Sequence, residues 1–178
     1  MPRLTSETGV LTYDKAKATP GYTLFSTLGL FETTLVDMNG EVAHKWELPG
    51  EPGNYAYMLT DGHLLAAIRT KVGILGLPAK GGHLIEYDWD GNIVWESAAW
   101  SGTDSVDSAA VLSSPIIDRD GNIFVSDGDQ LWSYTQDGDV RWVTVLPSPP
   151  AGNPFTPGSR NINSFITATL TNDGSILG

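Results

Sequence analysis

The stretch "DRDGNIFVSDGDQLWSYTQDGDVRW", residues 118–142, alternates short apolar runs with acidic glycine turns. Asp-Gly pairs tolerate the positive φ angles that tight hairpin turns need, and the flanking Val, Ile, Leu and Tyr residues favour strands. The stretch therefore predicts two β-hairpins, one turning at Gly121 and one at Gly138, with Trp142 after the second turn.

The same pattern, in which a turn glycine preceded by Asp or Asn separates two short apolar runs, recurs along the chain. The turn glycines fall into two alternating sets. One set, in which the following strand carries a tryptophan, comprises Gly40, Gly91 and Gly138, with Trp46, Trp95 and Trp142. The other set comprises Gly62, Gly121 and Gly174. Each set repeats about every 50 residues, and two hairpins in such a period are typical of a four-stranded β-propeller blade.

The predicted fold class is therefore all-β: a β-propeller of four-stranded antiparallel blades, with about three and a half blades in this chain. We place one partial propeller domain over residues 1–178, with blades at about 9–49, 54–97 and 113–147, a loop at 148–163 and an incomplete blade at 164–178. "GVLTYD" is a possible completing strand of the first blade. Because propellers protect strand edges by closing a ring, we expect the N-terminal part of a longer propeller. Self-association through the open last blade is the alternative.

Composition narrows the function classes. The chain has no cysteine, which excludes disulfides, thiolate metal sites and a cysteine nucleophile. The formal net charge of −11 argues against nucleic-acid partners. No apolar run approaches the roughly 18 residues of a membrane span. No apolar core of a signal peptide is visible at the N-terminus, and the compartment stays open.

The repeated tryptophans are interpreted as structural. A large ring on an outer strand is expected to pack over the turn glycine of a neighbouring blade, because aromatic burial contributes strongly to such cores. We assign this structural role to Gly91, Trp95, Gly138 and Trp142, which share one spacing. A ligand-stacking role for the rings is the alternative.

The acidic turns "DWDGN", "DRDGN" and "SDGDQ" raise the possibility of calcium, which prefers oxygen ligands. None of them supplies the further ligands and the bidentate glutamate of a full loop site, and turn chemistry accounts for their Asp-Gly pairs. We therefore predict no metal site and no cofactor.

The chain has three scattered histidines, His44, His63 and His83, without metal-ligand spacing. His63 follows an inner turn, and Arg69 and Lys71 end the strand that it begins. These three cations are candidates for contacting an anionic group such as a sulfate through charge-assisted hydrogen bonds. The alternative is three unrelated solvated side chains.

Residues 9–96 resemble the N-terminal region of the arylsulfotransferase (aryl-sulfate sulfotransferase) family. The resemblance lies in "GVLTYDKAKATPGYTLFSTLG", "TTLVDMNGEVAHKWELPGEPGNYAYMLTDGHLL" and "GGHLIEYDWDGNIVWE". It implies a propeller enzyme, exported in some members, that moves a sulfuryl group from an aryl sulfate to a phenol through a sulfated histidine, without metal or cofactor. The chain from about Ser113 resembles the pyrroloquinoline-quinone-type propeller repeat, which indicates fold more than function.

The sequence departs from that family after Trp95-Glu96, where a histidine-rich segment is expected and none is present. The nucleophile is therefore carried over onto no residue of this chain, and enzyme activity depends on histidines supplied elsewhere. A non-catalytic propeller that binds a protein or a carbohydrate is the alternative. A quinoprotein dehydrogenase is not expected, because the resemblance to such enzymes implies a vicinal cysteine pair.

Overall fold

The chain folds into short antiparallel strands, which confirms the predicted fold class. The computed structural model describes residues 9–69, 81–97, 114–126, 130–145, 169–171 and 176–177. In these ranges all regular structure is strand, and no helix long and apolar enough to cross a membrane is found among them. The strands are β1 (Thr23–Ser26), β2 (Glu32–Val36), β3 (Val42–Glu47), β4 (Pro52–Met58), β5 (Leu64–Arg69), β6 (Gly81–Tyr87), β7 (Ile93–Glu96), β8 (Ile116–Ile117), β9 (Ile123–Ser126), β10 (Gln130–Tyr134), β11 (Val140–Val145), β12 (Thr169–Leu170) and β13 (Ile176–Leu177).

The strands form meanders in which each strand pairs with the next one along the chain. Sheet 1 has the order β1-β2-β3, sheet 2 the order β4-β5-β6-β7, and sheet 3 the order β8-β9-β10-β11. Strands β12 and β13 form a separate antiparallel hairpin. Two four-stranded meanders, flanked by a three-stranded sheet and a hairpin, give an open, partial propeller.

Among the described residues sheet 1 has three strands, and "GVLTYD" is not one of them, contrary to the possibility raised from the sequence. The segment lies instead against the outer turn of the same sheet. A Cβ atom placed on Gly40 would come within 2.8 Å of Cγ2 of Val10. The N-terminal segment thus covers the turn glycine without extending the sheet.

The turns obtain their shape from side chains that accept backbone hydrogen bonds. Oδ1 of Asp118 accepts the N–H groups of Asp120 and Asn122, at 2.9 and 2.8 Å. Partial burial opposes ionisation of Asp118, yet the hydrogen bonds from Asn122 and the turn lower the pKa of the carboxyl below its usual value. In the outer turns of the three sheets the equivalent position is held by Asp37, Asp88 and, with a hydroxyl group, Thr135. In the turn at Gly62 it is held by Leu59, and Asp61 accepts the backbone N–H of His63 instead.

The hydrophobic core lies between the sheets, because successive side chains of each strand point to opposite faces. Sheet 2 is buried on both faces. One face packs against sheet 1 through Leu35, Trp46, Leu48, Leu64, Ala66, Ile68, Ile85 and Tyr87. The other packs against sheet 3 through Leu65, Ala67, Leu84, Ile123, Val125 and Tyr134. The sheets therefore stack face to face, as blades do.

Candidate functional site

Trp95 joins sheet 2 to sheet 3 by lying over a turn glycine of the next sheet. A Cβ atom placed on Gly138 would lie 2.5 Å from Cδ2 of Trp95, so only glycine leaves room for the ring. The indole Nε1 donates to the backbone carbonyl of Gln136 at 3.1 Å and to Oε2 of Glu86 at 2.7 Å. One side chain thus combines packing and hydrogen bonding across this interface.

Gly91 and Trp142 have different surroundings, although their spacing in the sequence matches. A Cβ atom on Gly91 would meet no heavy atom within 4 Å. Trp142 lies against Phe124 of its own sheet, with ring centroids 5.9 Å apart, and is 37% exposed. Among the described residues, the close contact between a tryptophan ring and a turn glycine is therefore seen at Trp95 and Gly138.

The interface between sheets 1 and 2 uses a different tryptophan position. In β3 it is His44, not Trp46, that holds the register position of Trp95 in β7. Trp46 lies two residues further along, is fully buried, and donates its Nε1–H to the backbone carbonyl of Asp88 at 2.9 Å. His44 stacks on Trp89 of sheet 2, with ring centroids 4.2 Å apart. The rings of His44, Trp46 and Trp89 therefore pack against one another at this interface.

A polar cluster lies beside Trp95 and consists of Asp61, His63 and Glu86; we call it the His63 cluster. Nδ1 of His63 lies 2.7 Å from Oε1 of Glu86 and 3.6 Å from Oδ2 of Asp61. One nitrogen or oxygen atom of each residue lies within 4.8 Å of the other two. The cluster thus presents one imidazole nitrogen and two carboxylates at a single place.

The local fold explains why these residues meet. Asp61 precedes Gly62 in the turn between β4 and β5, and its Oδ1 accepts the backbone N–H of His63 at 3.0 Å. Glu86 lies on the neighbouring strand β6, directly opposite Leu65 of β5. A turn and an adjacent strand therefore bring together residues that lie more than 20 positions apart in the sequence.

Glu86 is an ionisable side chain at a buried position, only 4% exposed. Burying a carboxylate costs free energy unless it is paired or hydrogen-bonded. Trp95 donates one hydrogen bond to Glu86, and His63 contacts its other oxygen. The hydrogen bond with Glu86 raises the pKa of His63 above its usual value, against the opposing effect of burial, and the negative charge of Asp61 adds to the rise. The hydrogen bond from Trp95 and the contact with His63 thus compensate for the burial of the Glu86 carboxylate.

The structure does not bring His63 and Arg69 together. His63 precedes β5 and Arg69 ends it, so they stand about 20 Å apart along the strand. Arg69 forms an ion pair with Glu51 at its own end of the sheet. Lys71, the third cation of the predicted anion contact, lies outside the described residues.

Sequence reasoning singled out His63 and missed Glu86, which is its main partner. The repeat itself contained a signal. Glu86 precedes Tyr87 in "HLIEYD" as Ser133 precedes Tyr134 in "QLWSYT", and Leu35 holds the corresponding position of β2. Of the three sheets, only sheet 2 carries an ionisable residue at this position.

Comparison with known proteins identifies the fold and no family. No protein-family model and no curated protein matches the chain. Virginiamycin B lyase from Staphylococcus aureus superposes with a TM-score of 0.55 at 15% identity, covering 88% of this chain and 44% of that one. A catalytically inactive variant of that enzyme with quinupristin gives 0.54 at 14% identity, covering 95% and 51%. A streptogramin B lyase gives 0.51 at 14% identity, covering 71% and 38%.

These solved structures are β-propellers, and at such identities the likeness establishes the fold alone. The chain spans about half or less of the length of the structures it matches. The arylsulfotransferase assignment stays a prediction. What the chain shares with these neighbours is the propeller architecture described above.

Proposed function

We propose that the chain supplies blades of a propeller that transfers a sulfuryl group from an aryl sulfate to a phenolic acceptor. The observation that carries the proposal is the order of the motifs resembling arylsulfotransferases. They contribute β1, then the β2–β3 hairpin, then sheet 2 with its β6–β7 hairpin. The motifs fall on successive sheets of a propeller, and this order supports the proposal.

The proposed chemistry needs a nucleophilic nitrogen and groups that stabilise negative charge. A histidine nitrogen attacks the sulfur atom, the bond from sulfur to the aryl oxygen breaks, and the phenolate departs. The oxygen of the acceptor phenol then bonds to sulfur as the bond from sulfur to the histidine nitrogen breaks, and the phenol proton passes to the released phenolate. His63 and Arg69 are each engaged by a carboxylate. His83 lies 3.4 Å from a carboxylate oxygen of Glu96, and His44 stacks on Trp89. We therefore assign the reacting histidine to none of the three histidines of this chain, and we give these sheets a scaffolding role.

A non-catalytic binding propeller is the second candidate. The same two ion pairs favour it, because cations already neutralised by carboxylates offer less to an incoming sulfate. Propellers serve both as enzymes and as binding scaffolds, so the fold does not choose between the two.

The test uses the full-length protein with 4-nitrophenyl sulfate as donor and phenol as acceptor. The proposal predicts release of 4-nitrophenolate that depends on phenol, together with formation of phenyl sulfate detected by mass spectrometry. Reactions without phenol and without protein are the controls. Absence of phenyl sulfate with a folded protein would contradict sulfuryl transfer and favour the binding scaffold.

A further inference from the structure

We propose that Asp61, His63 and Glu86 bind one divalent transition-metal ion of the Zn²⁺ class. The proposal is independent of sulfuryl transfer, which needs no metal. The His63 cluster offers one imidazole nitrogen and two carboxylate oxygens. Zn²⁺ accepts mixed nitrogen and oxygen ligands, and three protein ligands leave a fourth position for water or a small ligand.

The distances within the His63 cluster suit such an ion. Ligand atoms that lie about 2.0–2.1 Å from a tetrahedral Zn²⁺ ion are separated from one another by roughly 3.4 Å. Nδ1 of His63 lies 3.6 Å from the Asp61 carboxylate and 2.7 Å from that of Glu86, so the two separations bracket this value. A small rotation of the imidazole away from Glu86 would open the gap for the ion.

Comparison of the repeats shows that the fold does not require this cluster. In sheet 3 the positions of His63 and Glu86 are held by Asn122 and Ser133, in the same turn and register. Sheet 1 has Leu35 at the position of Glu86. Sheet 2 thus departs from the repeat at two positions, and both changes introduce a metal-ligating side chain at the same place.

Trp95 supplies the support that metal-binding carboxylates usually have. Its Nε1 donates to Oε2 of Glu86, which leaves Oε1 directed at His63. The same N–H also approaches the carbonyl of Gln136 in sheet 3, so the indole is oriented from both sheets. Hydrogen bonds of this kind orient ligands and strengthen metal binding.

The ion would place a positive charge beside the buried carboxylate of Glu86. The ionisable groups that act on His63 are the carboxylates of Glu86, Asp61 and Asp88. A metal ligand nitrogen must be deprotonated, so Zn²⁺ and the proton compete for Nδ1. Binding should therefore weaken as the pH falls below the range in which His63 is neutral.

The test is calorimetric titration of the metal-free full-length protein with Zn²⁺ alone at pH 7.5, with the histidine ring signals followed by NMR. We expect one ion per chain and a shift of the His63 ring signals, with smaller shifts at His44 and His83. At pH 5.5 the affinity should fall by about tenfold or more. Absence of binding at millimolar Zn²⁺, or binding that leaves His63 unperturbed, would overturn the proposal.

Variants of sheet 2 that carry the residues found at the equivalent positions of sheet 3 distinguish the loss of a metal ligand from misfolding. His63→Asn and Glu86→Ser each install the residue that the same fold already carries at the equivalent position. Each should weaken Zn²⁺ binding by at least about tenfold. Asp120→Asn, at the position of Asp61 in the sheet 3 turn, is the matched control and should bind as the parent does. If Glu86→Ser fails to fold, His63→Asn decides alone, and wild-type affinity in that variant would refute the site.

Discussion

The two interfaces of sheet 2 are built on the same register but differ in chemistry. Toward sheet 1, Leu35 and His44 face each other across the outer strands, and Trp46 is buried beside them. Toward sheet 3, the same two positions are held by Glu86 and Trp95. The first interface is apolar and aromatic, whereas the second contains a buried carboxylate. A repeated blade therefore leaves one pair of positions free to vary between interfaces.

What the two interfaces share is a hydrogen bond from an indole to the main chain of the next sheet. Trp46 donates to the carbonyl of Asp88 and Trp95 to that of Gln136, both in the outer turn of the following sheet. Trp46 lies two residues further along its strand than the register position that Trp95 holds in its own strand. Fixing one blade to the next thus depends on the indole reaching that turn, and not on a single sequence position.

The largest difference between the two interfaces is expected when the tryptophan of each is replaced by alanine. Trp46→Ala should lower the free energy of unfolding by about 3–5 kcal/mol, because the ring is fully buried between sheets 1 and 2. Trp95→Ala should cost less, since its ring is partly exposed. Urea unfolding of both variants measures this difference, and equal losses would contradict the ranking.

The turn glycines offer a matched pair with a smaller expected effect. Gly91 and Gly138 both have a φ of 84°, so alanine at either site should cost about 1–2 kcal/mol of backbone strain. Only at Gly138 would the new methyl group also collide with Trp95, which adds roughly 1–3 kcal/mol. Thermal unfolding should therefore rank Gly138→Ala as the less stable variant. The opposite ranking would argue against the packing described here.

The smallest expected effect is a dependence of the free energy of unfolding on pH, caused by His63 at the interface between sheets 2 and 3. The pKa of His63 is raised in the folded protein, so its stabilising contribution is complete below its ordinary pKa of about 6.5. The contribution is lost as the pH rises through the raised value. Because His63 is partly exposed, the loss should stay below about 1 kcal/mol. Unfolding between pH 6 and pH 9 with a chelator measures it, and His63→Asn should lack this component.

Much of the fold could be predicted because its signals are local. The hydrogen bonds that shape a turn join residues close together in the sequence, as where Asp118 accepts the N–H groups of Asp120 and Asn122. Because the turns repeat along the chain, the blades can be recognised without knowledge of long-range contacts. The sequence shows that Trp46 follows its turn glycine at a distance two residues longer than Trp95 and Trp142 follow theirs. It does not show the structural consequence of this offset. That consequence depends on Asp88, which lies 42 positions away.

The site was less predictable because it depends on strand pairing and direction. His63 and Arg69 share a strand, and the sequence suggested a cationic group. An extended strand separates its two ends, and each cation finds a carboxylate there, Glu86 or Glu51. Pairing of β5 with β6 is what places Glu86 next to His63, and no spacing rule for a single segment contains that information.

The contact between Trp95 and Gly138 tests most directly whether successive sheets are joined as blades. A double-mutant cycle combines Trp95→Ala with Gly138→Ala and measures the free energy of unfolding of all four proteins. If the ring lies over the glycine, Gly138→Ala should cost less once Trp95 is alanine, with a coupling of about 1–3 kcal/mol. The same cycle with Gly91→Ala should be nearly additive. Additivity in both cycles would contradict the interlocked sheets on which this account depends.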